Sequence, residues 1–190
     1  HGTGRFKRAI EISEKNITSN PGVVFGYSNL ASSYFYLDRF PEAEAVLQRA
    51  SERKLESPDL LLVRYHIAML EGDKGQMERV MAQAKGNPRS EAVLAHVEAL
   101  SLIRSGRLQA AERSSSRAAD LALQEGDRET AANYGAARAV WEVFCGNNAE
   151  GKRTAMTALE LSKGRDVQYA AGLALAFSGD SSRAEAIAGD

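Results

Sequence analysis

The sequence predicts an all-α protein, an α-α superhelix of about eleven helices that are arranged as antiparallel pairs. Turn signals of glycine or aspartate recur along the chain, at Gly4, Asp38, Gly72, Gly106, Gly146 and Gly179. Successive turns are therefore 34, 34, 34, 40 and 33 residues apart. A period of roughly 20 to 50 residues is typical of proteins that stack one supersecondary unit many times. No segment shows the sustained apolar–polar alternation that half-buried strands need.

Small side chains follow the same interval, which supports helix pairs rather than isolated helices. Two helices approach closely only where small residues face each other, while larger neighbours fill the grooves beside them. One such position follows each turn by five residues and is occupied by Ala9, Ala43, Met77, Ala111, Gly151 and Ala184. A second position lies further along the same helix and is occupied by Ala50, Ala84, Ala118 and Ala158.

Prolines and the turn spacing divide the chain into repeats within a single domain. Pro21, Pro58 and Pro88 mark joints, because proline cannot continue a helix interior, and Pro41 fits the first turn of a helix. The joint after the turn at Gly106 is six residues longer than the others, so we expect its second helix to extend until Gly126 stops it. The predicted units are a partial repeat at 1–20, repeats at about 22–57, 58–90, 91–126 and 127–163, and a partial repeat at 164–190.

The best-preserved unit runs from Tyr27 to Ala50. Its first helix has an aromatic residue, Leu30, Ala31 and Tyr34 at spacings of three, one and three, and its second has Ala43, Leu47 and Ala50. This pattern resembles a complete tetratricopeptide repeat. The resemblance implies a non-catalytic scaffold that binds a protein or peptide partner on the concave surface formed by the first helices.

Two further stretches narrow the resemblance. The segment from Arg53 to Leu60 and the segment from Leu70 to Asp73, together with the long fourth unit, look like the C-terminal repeat regions of some bacterial serine/threonine kinases and transcriptional regulators. Acidobacterial proteins are notable examples. This resemblance implies the alternative that the chain is a regulatory or sensor module of a larger signalling protein.

Composition limits the partners. The formal net charge is −1, which argues against a nucleic-acid binder because such proteins usually carry a basic excess. No apolar run reaches the roughly 20 residues that span a membrane. The single cysteine, Cys145, excludes an internal disulfide and a cysteine-cluster zinc site. With no visible signal peptide, we expect a cytoplasmic protein that does not act at a membrane.

The resemblance also implies which residues bind the partner, by their register in the first helices. These residues are Phe25, Asn29, Ser32, Tyr36, Leu62, His66, Met69, His96, Leu100, Arg104, Asn133 and Val140. The same register assigns Ser28, Val63, Val97, Ala137 and Phe144 to this surface. Only Asn29 matches the residues with which some family members clamp a carboxylate. The mostly apolar surface favours an amphipathic helix or apolar segment, and a second copy of the chain is an alternative occupant.

Two features suggest chemistry, and each has a structural interpretation that we prefer. The segment Gly146–Thr154 differs from a phosphate-binding loop at one position, because Arg153 stands where the loop needs a hydroxyl, and it follows a helical segment rather than a strand. It supports only a remote alternative, a nucleotide-binding enzyme. His66 and His96 share a predicted face, yet no carboxylate completes a zinc site. We therefore expect no catalytic residues, no cofactor and no metal in this chain.

Overall fold

The structure is a computed structural model that describes residues 6–189, and within this range the protein is all-α. It contains eleven helices and no strand: α1 (Phe6–Ser19), α2 (Val24–Phe35), α3 (Phe40–Glu52), α4 (Pro58–Glu71), α5 (Lys74–Ala84), α6 (Pro88–Arg104), α7 (Leu108–Gln124), α8 (Arg128–Phe144), α9 (Asn148–Leu161), α10 (Arg165–Phe177) and α11 (Ser181–Gly189). The predicted fold class and number of helices are thereby confirmed. We call α2, α4, α6, α8 and α10 the first helices, and the others the second helices.

The predicted turns lie where helices end. Asp38, Gly72, Gly106, Gly146 and Gly179 all have positive φ angles, from 56° to 88°. This left-handed conformation closes a helix through its last carbonyl groups, and glycine adopts it without strain. Gly126 also has a positive φ and follows the end of α7 by two residues, as the longer joint predicted. Gly4 lies outside the described residues.

Several helices begin at the residues that the sequence marked. Pro58 and Pro88 are the first residues of α4 and α6, where a missing N–H leaves no hydrogen bond unmade. Ser57 and Asn87 cap these two helices by accepting hydrogen bonds from backbone N–H groups three residues ahead. The boundary predicted between residues 90 and 91 falls inside α6.

The chain divides between Gly86 and Asn87 into two compact units. The first unit contains α1–α5, and its core joins aromatic and branched side chains that include Tyr27, Leu30 and Ile67. The second unit contains α6–α11, and much of its core is alanine: Ala132, Ala136, Ala139, Ala155, Ala158, Ala171 and Ala174. In both units a first helix packs on the next one, α2 on α4 and α8 on α10.

None of the helices between residues 6 and 189 is both long and apolar enough to cross a lipid bilayer.

Candidate functional site

The predicted binding residues are accessible in the structure. Each of the twelve lies in a first helix or directly after one, and none is buried. In the first unit Phe25 and Tyr36 are 65% and 59% exposed. The other predicted residues of this unit are half-buried: Asn29, Ser32, Leu62, His66 and Met69. In the second unit Leu100 and Arg104 are exposed, and His96, Asn133 and Val140 are half-buried.

Three flanking assignments are wrong. Ser28, Val63 and Val97 are 5%, 4% and 7% exposed, so they belong to the core and not to a binding surface. Neighbouring residues of an α-helix point about 100° apart, since one turn takes 3.6 residues. The side chain of Val63 therefore points into the core although that of Leu62 is partly exposed. Val97 differs from His96 in the same way.

Aromatic rings connect the first helices of the first unit. Phe35 of α2 stacks on His66 of α4, with 5.5 Å between the ring centroids. Tyr36 lies beside Phe35 and also contacts Phe6 of α1, at centroid distances of 5.6 Å each. Burial lowers the pKa of His66 below its ordinary value, because the apolar surroundings disfavour the imidazolium. The ring of His66 is therefore a neutral, stacked part of the surface at neutral pH.

The second unit repeats this arrangement with different residues. His96 of α6 stacks on Tyr134 of α8, with 4.5 Å between the centroids. Burial lowers the pKa of His96 too. Phe144 at the end of α8 packs against Phe177 at the end of α10, at 4.9 Å, although the two rings remain 62% and 57% exposed. The rings thus contact each other and leave most of their surface in water.

The sequence analysis missed four of these rings: Phe35, Tyr134, Tyr169 and Phe177. Tyr169 is 76% exposed on α10, which was left out of the predicted surface. A signal was present for Phe177, since it lies two residues before the turn at Gly179 just as Phe144 lies two before Gly146. No spacing in the sequence marks Tyr134 or Phe35. Each ring stacks on a histidine of another first helix, and that contact is visible only in the structure.

The two histidines have separate environments. His66 and His96 lie in different units, and each is stacked on an aromatic ring of its own unit. Within residues 6–189 no group of three or more His, Cys, Asp or Glu side chains is arranged to hold a metal ion.

The stretch that resembles a phosphate-binding loop is the start of a helix. Gly146 and Asn147 form the turn, and α9 begins at Asn148. A Cβ atom on Gly151 would overlap Cγ2 of Val143 and lie 2.9 Å from the carbonyl oxygen of Ala139, so this glycine allows α9 to approach α8 closely. The ammonium group of Lys152 is 2.6 Å from a carboxylate oxygen of Asp180.

A partly buried group of charges connects three helices of the second unit, and the sequence analysis did not find it. Glu142 of α8 is 2% exposed, and its carboxylate accepts hydrogen bonds from Arg138 Nε at 2.6 Å and Thr154 Oγ1 at 2.7 Å. The guanidinium of Arg138 also donates to Glu112 and Ser116 of α7, at 2.8 Å each. The network connects α7, α8 and α9.

Comparisons with known proteins bear on the fold. No protein-family model matches the chain. No curated protein is significantly similar to it in sequence. Among solved structures, the crystal structure of BtubC (BKLC) from P. vanneervenii is similar, with a TM-score of 0.63 and 18% sequence identity over 96% of this chain and 85% of that chain. The likeness supports an all-helical, repeat-like fold.

Proposed function

We propose that this chain is a non-catalytic protein-interaction module of the tetratricopeptide type. In each unit, the exposed face of the first helices binds an apolar peptide or an amphipathic helix of a partner protein. We call this face the first-helix surface. The 34-residue spacing of the turns and the Tyr27–Ala50 pattern support the family assignment.

One observation carries the proposal of a binding surface. The exposed aromatic side chains among residues 6–189 are Phe25, Tyr36, Phe144, Tyr169 and Phe177. All five lie in a first helix or directly after one, and none lies in a second helix. Contiguous exposed apolar surface is unfavourable in water, and in monomeric proteins it commonly marks an interaction site. Large aromatic anchors are also the residues that carry most binding energy at interfaces.

The polarity of the surface indicates which partner fits. Helix α2 contains no charged residue, and the predicted residues of the first unit are apolar, aromatic, hydroxyl, amide or imidazole groups. A charged partner segment would lose its hydration there and gain no ion pair. An amphipathic helix that presents leucine, methionine or aromatic side chains would bury them against the exposed rings without this cost.

A matched pair of leucines tests the surface. A partner segment would be selected from a peptide library with the wild-type chain, and its affinity measured by calorimetry. Leu100 on first helix α6 and Leu123 on second helix α7 are 40% and 39% exposed. We expect Leu100→Ala or Tyr36→Ala to weaken binding roughly tenfold, as at interface anchors, and Leu123→Ala to have no effect. Wild-type affinity for both Tyr36→Ala and Leu100→Ala would contradict the proposal.

The proposal has a second form, in which the module is the regulatory arm of a bacterial serine/threonine kinase or transcriptional regulator. It is supported by the resemblance of the Arg53–Leu60 and Leu70–Asp73 segments. We further propose a cytoplasmic location, in which the exposed thiol of Cys145 stays reduced. The reading frame upstream of His1 tests the regulatory form. A kinase or DNA-binding domain encoded there would support it, and a start codon directly before His1 would contradict it.

The nucleotide-binding alternative has less support. Lys152 would have to leave Asp180 to reach a phosphate, and Gly151 packs against α8 instead of forming an open loop. Titration with a fluorescent ATP analogue tests it. We expect no saturable binding, whereas binding that Lys152→Ala abolishes would replace the proposal with an enzymatic one.

A further inference from the structure

Two arginines occupy the same register in the two units. Arg64 lies eight residues before the turn at Gly72, and Arg138 lies eight residues before the turn at Gly146. Each is on a first helix, and each faces the second helix that precedes it. The same position of the repeat therefore holds an arginine in both units, but the side chains around the two arginines differ.

In the second unit the guanidinium of Arg138 fills the space between three helices. It contacts Glu112 of α7 and Glu142 of its own helix, and Glu150 of α9 is 3.8 Å away. The side chain is only 15% exposed. A cation held by carboxylates therefore closes the gap between two second helices, α7 and α9, at this position.

In the first unit the corresponding space is open. The register equivalents of Glu112, Ser116, Glu142 and Glu150 are Glu44, Gln48, Ala68 and Gln76. All four line a cleft of about 630 Å³ between α3 and α5. Arg64 lies at its edge, where its guanidinium donates to the carbonyl oxygen of Leu47 at 3.4 Å and to Ser51 Oγ at 3.0 Å. The guanidinium thus binds α3 and leaves the cleft unfilled. We call this space the α3–α5 cleft.

The walls of the α3–α5 cleft combine an apolar floor with a net negative charge, because three carboxylates outnumber the guanidinium of Arg64. Leu47, Ile67 and Ala68 form the floor and are almost fully buried themselves. Glu44 and Glu71 stand at the sides, both exposed and without a hydrogen bond or ion pair to any residue between 6 and 189. A third carboxylate, that of Asp73, caps α5 and is 3.9 Å from Arg79.

We propose that the α3–α5 cleft binds a basic side chain from a segment of a partner protein. The guanidinium or ammonium group would lie between Glu44 and Glu71, and its aliphatic stem would cover Leu47 and Ile67. Charge complementarity between a cation and the two glutamates supports this occupant. In the second unit the guanidinium of Arg138 occupies the equivalent space and contacts Glu112, the register equivalent of Glu44. A cleft of this volume is within the roughly 300–1,000 Å³ of ordinary binding pockets. The site is separate from the first-helix surface.

Two short, end-blocked peptides without leucine, methionine or aromatic residues test the proposal, so that neither presents the apolar face that the first-helix surface is proposed to bind. One contains arginine, serine and alanine, and the other has glutamate in place of each arginine. Calorimetry at low ionic strength should show saturable binding of the arginine peptide and none of the glutamate peptide. Added salt should weaken the binding, because exposed charges are screened. We expect Glu44→Gln with Glu71→Gln to weaken it roughly five- to tenfold, since each partly exposed ion pair contributes a few-fold.

Matched variants decide where the peptide binds. Glu78→Gln with Glu125→Gln removes the same charge from exposed positions outside the cleft and should leave affinity unchanged. Tyr36→Ala should also leave it unchanged, because Tyr36 does not line the cleft. The proposal is overturned by absent or charge-independent binding, or by wild-type affinity in the Glu44/Glu71 variant. Loss of binding only in Tyr36→Ala would overturn it and support the first-helix surface instead.

Discussion

The two units build the same helix-pair arrangement from different interiors. The first fills its core with tyrosine, leucine, isoleucine and valine, and its arginine at the repeat position lies at the edge of a cleft. The second packs alanine-rich helices closely and buries a carboxylate beside the equivalent arginine. Large side chains keep neighbouring helices apart and supply apolar burial, whereas small ones allow close approach and bury less apolar surface. The comparison predicts that charge matters more for stability in the second unit.

The largest expected effect concerns the two arginines. Arg138→Ala leaves the buried Glu142 without its counter-ion and should lower the free energy of unfolding by about 3–5 kcal/mol. Arg64→Ala removes hydrogen bonds from a partly exposed side chain and should cost about 1 kcal/mol. Urea titration followed by circular dichroism measures both. Fluorescence of the single tryptophan, Trp141 of α8, assigns the loss to the second unit.

A double replacement sharpens that prediction. Arg138→Met with Glu142→Leu removes both charges and should recover most of the stability that Arg138→Ala loses, since apolar residues of similar size often replace a buried ion pair at little cost. Equal losses for Arg64→Ala and Arg138→Ala would show that the two units do not differ in the way described.

The next effect concerns two helical glycines. Gly151 of α9 has no space for a Cβ atom, so Gly151→Ala should force α8 and α9 apart and cost about 1–3 kcal/mol. Gly75 of α5 would make only ordinary contacts at 3.4 Å. Gly75→Ala should therefore stabilise the first unit by about 0.5–1 kcal/mol, because alanine loses less backbone freedom on folding. Thermal unfolding of the two variants beside the wild type checks both signs. Wild-type stability in Gly151→Ala would contradict this prediction, because it would show that α8 and α9 can accommodate the extra methyl group.

The smallest expected effect is a dependence of folding stability on pH, to which a histidine of each unit should contribute. Burial lowers the pKa of His66 and of His96, so in acid the unfolded chain takes up these protons before the folded protein does. Stability should be complete above the ordinary pKa of about 6.5 and decline as the pH falls below it. His66→Phe with His96→Phe keeps the stacked rings and should make the curve flatter between pH 7.5 and 5. Denaturation midpoints over this range measure the slope, and identical slopes would contradict the assignment.

Much of the fold follows from the sequence because turns and small residues are local signals. A left-handed residue at each turn fixes where a helix ends, and the spacing between turns then fixes the number of helices. The separation at Gly86 was not predicted. The division depends on contacts between helices, which the spacing of the turns does not record.

The candidate site was harder to derive. The register placed twelve accessible residues on first helices, yet it also assigned the buried Val63 and Val97 to the same surface. The ring pairs and the buried Glu142 depend on partners from other helices. Glu142 in particular looks like any solvated helix residue in the sequence, and only the positions of Arg138 and Thr154 show why its charge tolerates burial.

Photo-crosslinking tests the central claim, that a partner segment binds the first helices, most directly. A photoreactive phenylalanine analogue would replace Phe25, Phe144 or Leu123 in turn, with the partner peptide selected by the wild-type chain. These positions are all exposed, and only Leu123 lies on a second helix. We predict a crosslinked peptide from position 25 or 144 and none from position 123. Crosslinking from position 123 alone would contradict the claim.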